Sequence, residues 1–171
     1  VSGIADSNPN SLGEKILDNE VKYIWNDFSS IFKSGVNHAA IAIGENSKRL
    51  FLTEKLKKIG YNFPNLIHPD AFLEDNVTLG EGNLITMGSK IGSTVSIGNN
   101  NIIYGSIIEH EVIIGNNTFI APGVNIAGRV KLEDSCFVVS FSFNSTLLPT
   151  HSGLVIPQSS SLYSGTSFSS K

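Results

Sequence analysis

Between Asn65 and Val139 an aliphatic side chain recurs every six residues. The beats fall at Ile67, Leu73, Leu79, Ile85, Ile91, Ile97 and Ile103, then, after a single five-residue unit, at Ile108, Ile114, Ile120, Ile126 and Leu132. Four residues after most beats stands a small or β-branched side chain, as at Ala71, Val77, Ser89, Val95, Val112, Thr118, Val124 and Val130, and Gly often follows the beat directly. A period of six suits neither a 3.6-residue helix nor two-residue strand alternation. It fits a chain wound as a prism, with one short parallel strand and one turn per face and three faces per coil. Residues 66–139 are therefore expected to form about four coils, roughly 20 Å tall at about 4.8 Å per coil. The Ile/Leu ladder should fill the interior. Asn99, Asn100, Asn116 and Asn117 suit the corners, because Asn tolerates left-handed backbone angles.

Residues 1–65 carry a different pattern, of alternating strand and helix. Ile4-Ala5-Asp6 reads as the end of a strand, followed by the loop Ser7-Asn8-Pro9-Asn10. Val21–Ile24 reads as a short strand, and Trp25–Phe32 contains a helical turn. His38–Gly44 (HAAIAIG) reads as a buried strand, short, apolar and closed by Gly. Asn46 or Ser47 is expected to cap a helix running to Ile59, with Leu52, Leu56 and Ile59 on one face and Gly60 as its stop. Lys55, Lys57 and Lys58 lie near its C-terminal end, where the helix dipole favours cations. The expectation is a partial α/β unit without a first strand and its Gly-rich turn. Residues 140–171 have no six-residue beat, no acidic residue and many serines, and read as an irregular tail.

Composition changes this picture little. The chain has 171 residues and a formal net charge of -3, which points to no nucleic-acid or anionic-membrane partner. No apolar run is long enough to cross a bilayer, and the absence of a signal-peptide pattern points to a cytoplasmic protein. Cys136 is the single cysteine, so no intrachain disulfide forms, and it should pack as a small apolar residue.

The candidate chemistry centres on His110, within Ile108-Glu109-His110-Glu111-Val112. It follows an inward beat, which places it at a corner or outer face, and a lone surface His is most often merely solvated. Two features raise its interest. A flanking carboxylate, Glu109 or Glu111, could hold one ring N–H and make the other nitrogen a better base. Gly128 lies eighteen residues later, one full coil, and so one rung above His110 on the same edge. A base beside an open backbone N–H could form an acyl-transfer site. His38, His68 and His151 have no metal-ligand spacing, so no metal is expected. Asp6 and Gly44 lie at expected strand ends, where an α/β sheet meets ligands.

With IAIGEN, FPNLIHPDA, IIEHEVIIGNNTFIAPGVNIAG and GIADSNP in view, over roughly residues 3–137, the chain resembles the left-handed β-helix (hexapeptide-repeat) sugar acetyltransferases. Within them it is most similar to the sialic-acid O-acetyltransferase (NeuD-like) and UDP-amino-sugar N-acetyltransferase (PglD-like) group. The resemblance implies a mainly β fold, a left-handed parallel β-helix preceded by a partial α/β (Rossmann-like) domain. It implies a homotrimer that takes acetyl-CoA as co-substrate, without metal, and modifies the amine or hydroxyl of a sugar or nucleotide sugar in bacterial surface-glycan biosynthesis. His110 matches the general base, Glu111 the residue that orients it and Gly128 the backbone N–H that binds the thioester carbonyl. Phe119 occupies the place of a His that contacts acetyl-CoA. Asp6 and Gly44 match positions on the sugar side. The chain departs from the pattern in lacking the first strand and a Gly-Gly-His-type loop. It departs again at the five-residue unit, where Tyr104 replaces an Asn-Thr-like pair near the catalytic His, and after Phe137, where further hexapeptides would follow. These departures support a second reading, a truncated and catalytically inactive remnant acting at most as an assembly module.

Overall fold

The computed structural model describes residues 2–140 and the backbone of Gly153–Pro157. The N-terminal part contains β1 (Ile4–Asp6), a 3-10 turn (Pro9–Ser11), β2 (Lys15–Ile16), β3 (Asn19–Ile24), α1 (Phe28–Lys33) and α2 (Asn46–Ile59). Strand β3 is central, parallel to β1 and antiparallel to β2. This small mixed sheet replaces the open parallel sheet of a Rossmann-like unit among the described residues. Phe28, Ile31, Ile41, Leu52, Leu56, Tyr61 and Phe63 form its buried core.

Two local expectations change. His38–Gly44 is not a strand: only an isolated parallel bridge joins His38 to Asn62. The segment is still half-buried on alternate residues, with Ile41 inside and Ala40, Ala42 and Gly44 outside. Its partner cannot extend the bridge, because Pro64 follows two residues after Asn62 and has no N–H to offer. Helix α2 is capped at Glu45, which makes no side-chain capping bond. Asn46 is inside the first turn and points away, into the neighbouring coil. At the other end Gly60 takes a left-handed φ of 111° and its N–H closes on Leu56 and Lys57, the conformation that made it a readable stop.

The remainder is a parallel β-helix. Its rungs are β4 (Leu66–Ile67), β5 (Phe72–Leu73), β6 (Thr78–Leu79), β7 (Leu84–Ile85), β8 (Lys90–Ile91), β9 (Ser96–Ile97), β10 (Ile102–Ile103), β11 (Ile107–Ile108), β12 (Ile113–Ile114), β13 (Phe119–Ile120), β14 (Asn125–Ile126), β15 (Lys131–Leu132) and β16 (Cys136–Ser140). Every third rung stacks. The first face is β4-β7-β10-β13-β16, the second β5-β8-β11-β14 and the third β6-β9-β12-β15. The second residue of each two-residue strand is the aliphatic beat and points inward, and from Ile85 to Leu132 all of these are buried. Val138, six residues beyond Leu132, adds one more beat and pairs with Ile120. The first rung is open, and Ile67 there is 42% exposed. A further strand, β17 (Gly153–Pro157), pairs antiparallel with β16 inside the segment expected to be irregular. The rest of the expected tail, 141–152 and 158–171, lies outside the described residues.

The five-residue unit is absorbed in one turn. Ile102 still pairs with Leu84, eighteen residues earlier, while Ile107 pairs with Lys90, seventeen earlier. The missing residue is taken from the corner Tyr104-Gly105-Ser106, between the first and second faces. Gly105 has φ 53° there and its N–H donates to Thr86 Oγ1 at 3.1 Å. The corner between the third and first faces is built differently, on side-chain ladders. Asn65, Asn83 and Asn101 each accept through Oδ1 from the backbone N–H of the rung above, at Asn83 (2.9 Å), Asn101 (3.0 Å) and Thr118 (2.7 Å). An outer ladder runs in the opposite sense: Asn99, Asn116 and Asp134 each accept through Oδ1 from the backbone N–H of the rung below, at Glu81, Asn99 and Asn116. Asn100 and Asn117 take left-handed angles at this corner, as does Ser135, whereas the corner residues Asn99 and Asn116 serve the outer ladder. Each such bond contributes about 1 kcal/mol net, and each fixes register as well.

Candidate active site

His110 lies at the corner joining the second and third faces, between β11 and β12. The turn there repeats up the prism, with left-handed angles at Asn76, Thr94, Glu111 and Arg129. It places the residue before each of these, including His110 and Gly128, on the outer edge. Arg129 N–H donates to His110 O at 3.0 Å, which fixes the two rungs against each other. A Cβ built on Gly128 would lie 2.7 Å from His110 Nε2 and 2.8 Å from Cε1. The imidazole therefore occupies the space that any side chain at position 128 would need. No hydrogen-bond partner of the Gly128 N–H is found among the described residues.

Nδ1 of His110 is 3.2 Å from Glu111 Oε1. With Nδ1–H donating to that carboxylate, the lone pair is on Nε2, the nitrogen beside Gly128. Arg129 holds Glu111 in turn, through Nε to Oε2 at 3.0 Å and Nη2 to Oε1 at 3.3 Å. The Arg129 guanidinium, with His110 second, keeps the Glu111 carboxyl below the usual carboxylate range, so it is ionised throughout the neutral range. The His110 side chain is 50% exposed, open enough to meet a substrate. Gly128, His110 and Glu111 are thus brought together as the eighteen-residue step requires. Glu109 makes no bond to the ring. Arg129 was missed from the sequence, although the same step from Glu111 leads directly to it.

The remaining candidates lie elsewhere. Phe119 is on the outer side of the first face, stacked on Phe137 with ring centroids 5.0 Å apart, on the face opposite the His110 corner within one chain. Gly44 comes to it instead: a Cβ on Gly44 would meet Phe119 Cε2 at 3.6 Å. Asp6 ends β1 and uses Oδ1 to accept from Asn8 N–H at 2.7 Å, a local turn. Tyr104 and the shortened corner are one face away from His110, not beside it. A cleft of about 310 Å³ between α2 and the Asn corner, lined by Leu50, Thr53, Lys57, Phe63, Asn99 and Asn116 among others, contains none of the candidates. Among the described residues no cluster of His, Cys, Asp or Glu could hold a metal, and no helix is long and apolar enough to cross a membrane.

The His110–Gly128 packing gives one direct test. The Cβ of Gly128→Ala would strike a movable side chain and not backbone, so the fold should survive while the ring is displaced. Any reaction that uses the His110 ring is expected to lose about 100-fold in kcat/KM, with a melting midpoint close to that of the parent. Unchanged kinetics in the folded variant would show that the ring position is immaterial.

The prism of stacked hexapeptides can be set beside known proteins. No family model matches the chain. Over 67 residues it is 37% identical to an acyl-[acyl-carrier-protein]–UDP-N-acetylglucosamine O-acyltransferase of Nautilia profundicola, a match covering 38% of this chain. The chain spans only about a quarter (26%) of that relative's length. Among solved structures, WeeI from Acinetobacter baumannii is similar with a TM-score of 0.70 and 25% identity, over 79% of this chain and 62% of that one. PerB from Caulobacter crescentus, solved with CoA and GDP-perosamine, gives a TM-score of 0.60 at 21% identity, over 81% and 94%. The fold is that of the hexapeptide-repeat sugar acetyltransferases, whose structures include complexes with CoA.

Proposed function

We propose that this chain transfers an acetyl group from acetyl-CoA to an amine or hydroxyl of a sugar or nucleotide sugar, in bacterial surface-glycan synthesis. The observation that carries the reading is the corner where His110 Nε2 faces the Gly128 backbone while Nδ1 is held by Glu111. His110 accepts the proton of the attacking amine or hydroxyl as its lone pair bonds to the thioester carbonyl carbon. The Gly128 N–H stabilises the negative charge that develops on the carbonyl oxygen. The carbon–sulfur bond then breaks, and the CoA thiolate leaves with the proton from His110. Glu111 fixes the tautomer and balances the imidazolium formed in between.

Asp6 and Gly44 are assigned to the sugar side and Phe119 to acetyl-CoA. Phe119 can serve a His110 corner only if a neighbouring protomer brings its first face there, which is why a homotrimer belongs to the proposal. The similarity to PerB, which binds CoA and GDP-perosamine, supports a nucleotide-linked amino sugar as the acceptor.

The test is to incubate the chain with acetyl-CoA and a panel of amino-sugar nucleotides. Acceptor-dependent release of free thiol is expected, with a product heavier by one acetyl group. Calorimetry with acetyl-CoA alone should show micromolar binding. Absence of both heat and thiol release would overturn the reading in favour of an inactive assembly module.

A further inference from the structure

Arg49 on α2 is fully buried, and among the described residues none of its hydrogen bonds goes to a carboxylate. Nη1 donates to Ile43 O (2.8 Å) and Gly44 O (3.1 Å), Nη2 to Asn46 Oδ1 (2.7 Å) and Asn117 O (2.9 Å), and Nε to Asn100 O (3.1 Å). Burial pulls the guanidinium down to about 10, so it is a cation at neutral pH, surrounded only by neutral acceptors. A buried charge without a counter-ion is costly, and five oriented acceptors are what make it tolerable.

These acceptors come from separate parts of the chain. Ile43 and Gly44 end the extended segment that precedes α2. Asn100 and Asn117 are left-handed corner residues of successive coils, joined by Asn100 Nδ2 donating to Asn117 Oδ1 at 2.9 Å. Asn117 Nδ2 donates back to Asn46 O at 2.9 Å, and Asn46 Nδ2 donates to Cys136 O at 2.9 Å. The 39–44 segment has a backbone bond to Asn62 at its start, from Ala39 N–H, but no strand ladder along its length. Its far end, at Gly44, is tied through Arg49. A guanidinium presents its donors in one rigid plane, so these bonds fix direction as well as distance.

We propose that Arg49 is a positioning residue: it holds Ile43–Gly44 at one place on the coil, against Phe119, and thereby sets where a nucleotide sugar gripped by that segment lies. The inference rests on the proposed function in taking Gly44 as part of the sugar site. Arg49→Lys keeps the charge and three donors but loses the planar fork. The expected result is a KM for the nucleotide sugar raised about 10-fold or more, with the KM for acetyl-CoA and kcat nearly unchanged. Backbone order parameters of residues 40–44 should fall from about 0.85 toward about 0.6, while those of Ile103 and Ile120 stay at the rigid value.

A folded variant in which both KM values and kcat shift together, or in which the order parameters at 40–44 are unchanged, overturns the proposal. Arg49→Gln, which removes the charge and keeps an amide donor, is read in the same way should the lysine variant misfold. If both variants unfold, Arg49 is a folding residue only and the proposal falls. Absence of any acetyl transfer by the parent chain would refute the proposed function instead, and the order parameters would still decide whether Arg49 holds the segment.

Discussion

Replacing His110 by alanine is expected to lower kcat/KM for acetyl transfer by about 10²–10⁴-fold, the range that a positioned general base contributes. The side chain is half-exposed at a corner and contributes nothing to the aliphatic interior. Thermal unfolding and secondary structure should therefore match the parent, which separates a chemical loss from a folding loss. Glu111 and Arg129 still pair in the variant, since their two bonds do not pass through the imidazole. Steady-state kinetics with thiol detection is the measurement. Turnover within a fewfold of the parent would remove His110 from the mechanism and leave the corner a solvated turn.

The largest effect on stability is expected inside the ladder. Ile120 is completely buried, between Ile103 below and Val138 above. Ile120→Ala should cost about 2–5 kcal/mol, the sum of lost transfer energy and a cavity that stacked rungs cannot collapse to fill. Ile67→Ala uses the same chemistry at the open first rung, where the side chain is 42% exposed. It should cost well under half as much, because less apolar area leaves water on folding. Denaturant titration of both variants checks the pair. Equal costs would mean that the ladder does not pack as a continuous interior.

The ladder was legible because it repeats: six residues per face and eighteen per coil turn a one-dimensional count into neighbours in space. The same count placed Gly128 over His110, and applied once more it would have found Arg129 over Glu111. The N-terminal part has no such ruler. HAAIAIG is apolar enough for a buried strand, yet the partner strand gives way to Pro64 and the segment remains an unpaired extension. Asn46 reads as a helix cap because Asn commonly caps. In the structure it reaches residues 89 and 90 positions away, and a local rule cannot see that contact. Arg49 left one faint trace: with Asn46, Leu52, Thr53 and Leu56 it lies on the buried side of α2, a charged residue where the pattern calls for an apolar one. The positions of Gly44 and Phe119 beside each other depend on that docking, so they too were beyond the reach of periodicity.

The shortened turn at Tyr104–Ser106 also says where this architecture can change length. All three corners carry cross-rung bonds: the Asn ladders at one, the His110, Glu111 and Arg129 contacts at another, and at the third Gly105 N–H to Thr86 Oγ1 and Gly123 N–H to Gly105 O, which form around the shortened unit. The third corner, at Met87, Tyr104 and Pro122, has given up a residue while the strands on either side kept their pairing. Insertions and deletions in evolution, and loops grafted by design, are therefore expected to collect along that single edge, leaving the other two to hold register and chemistry.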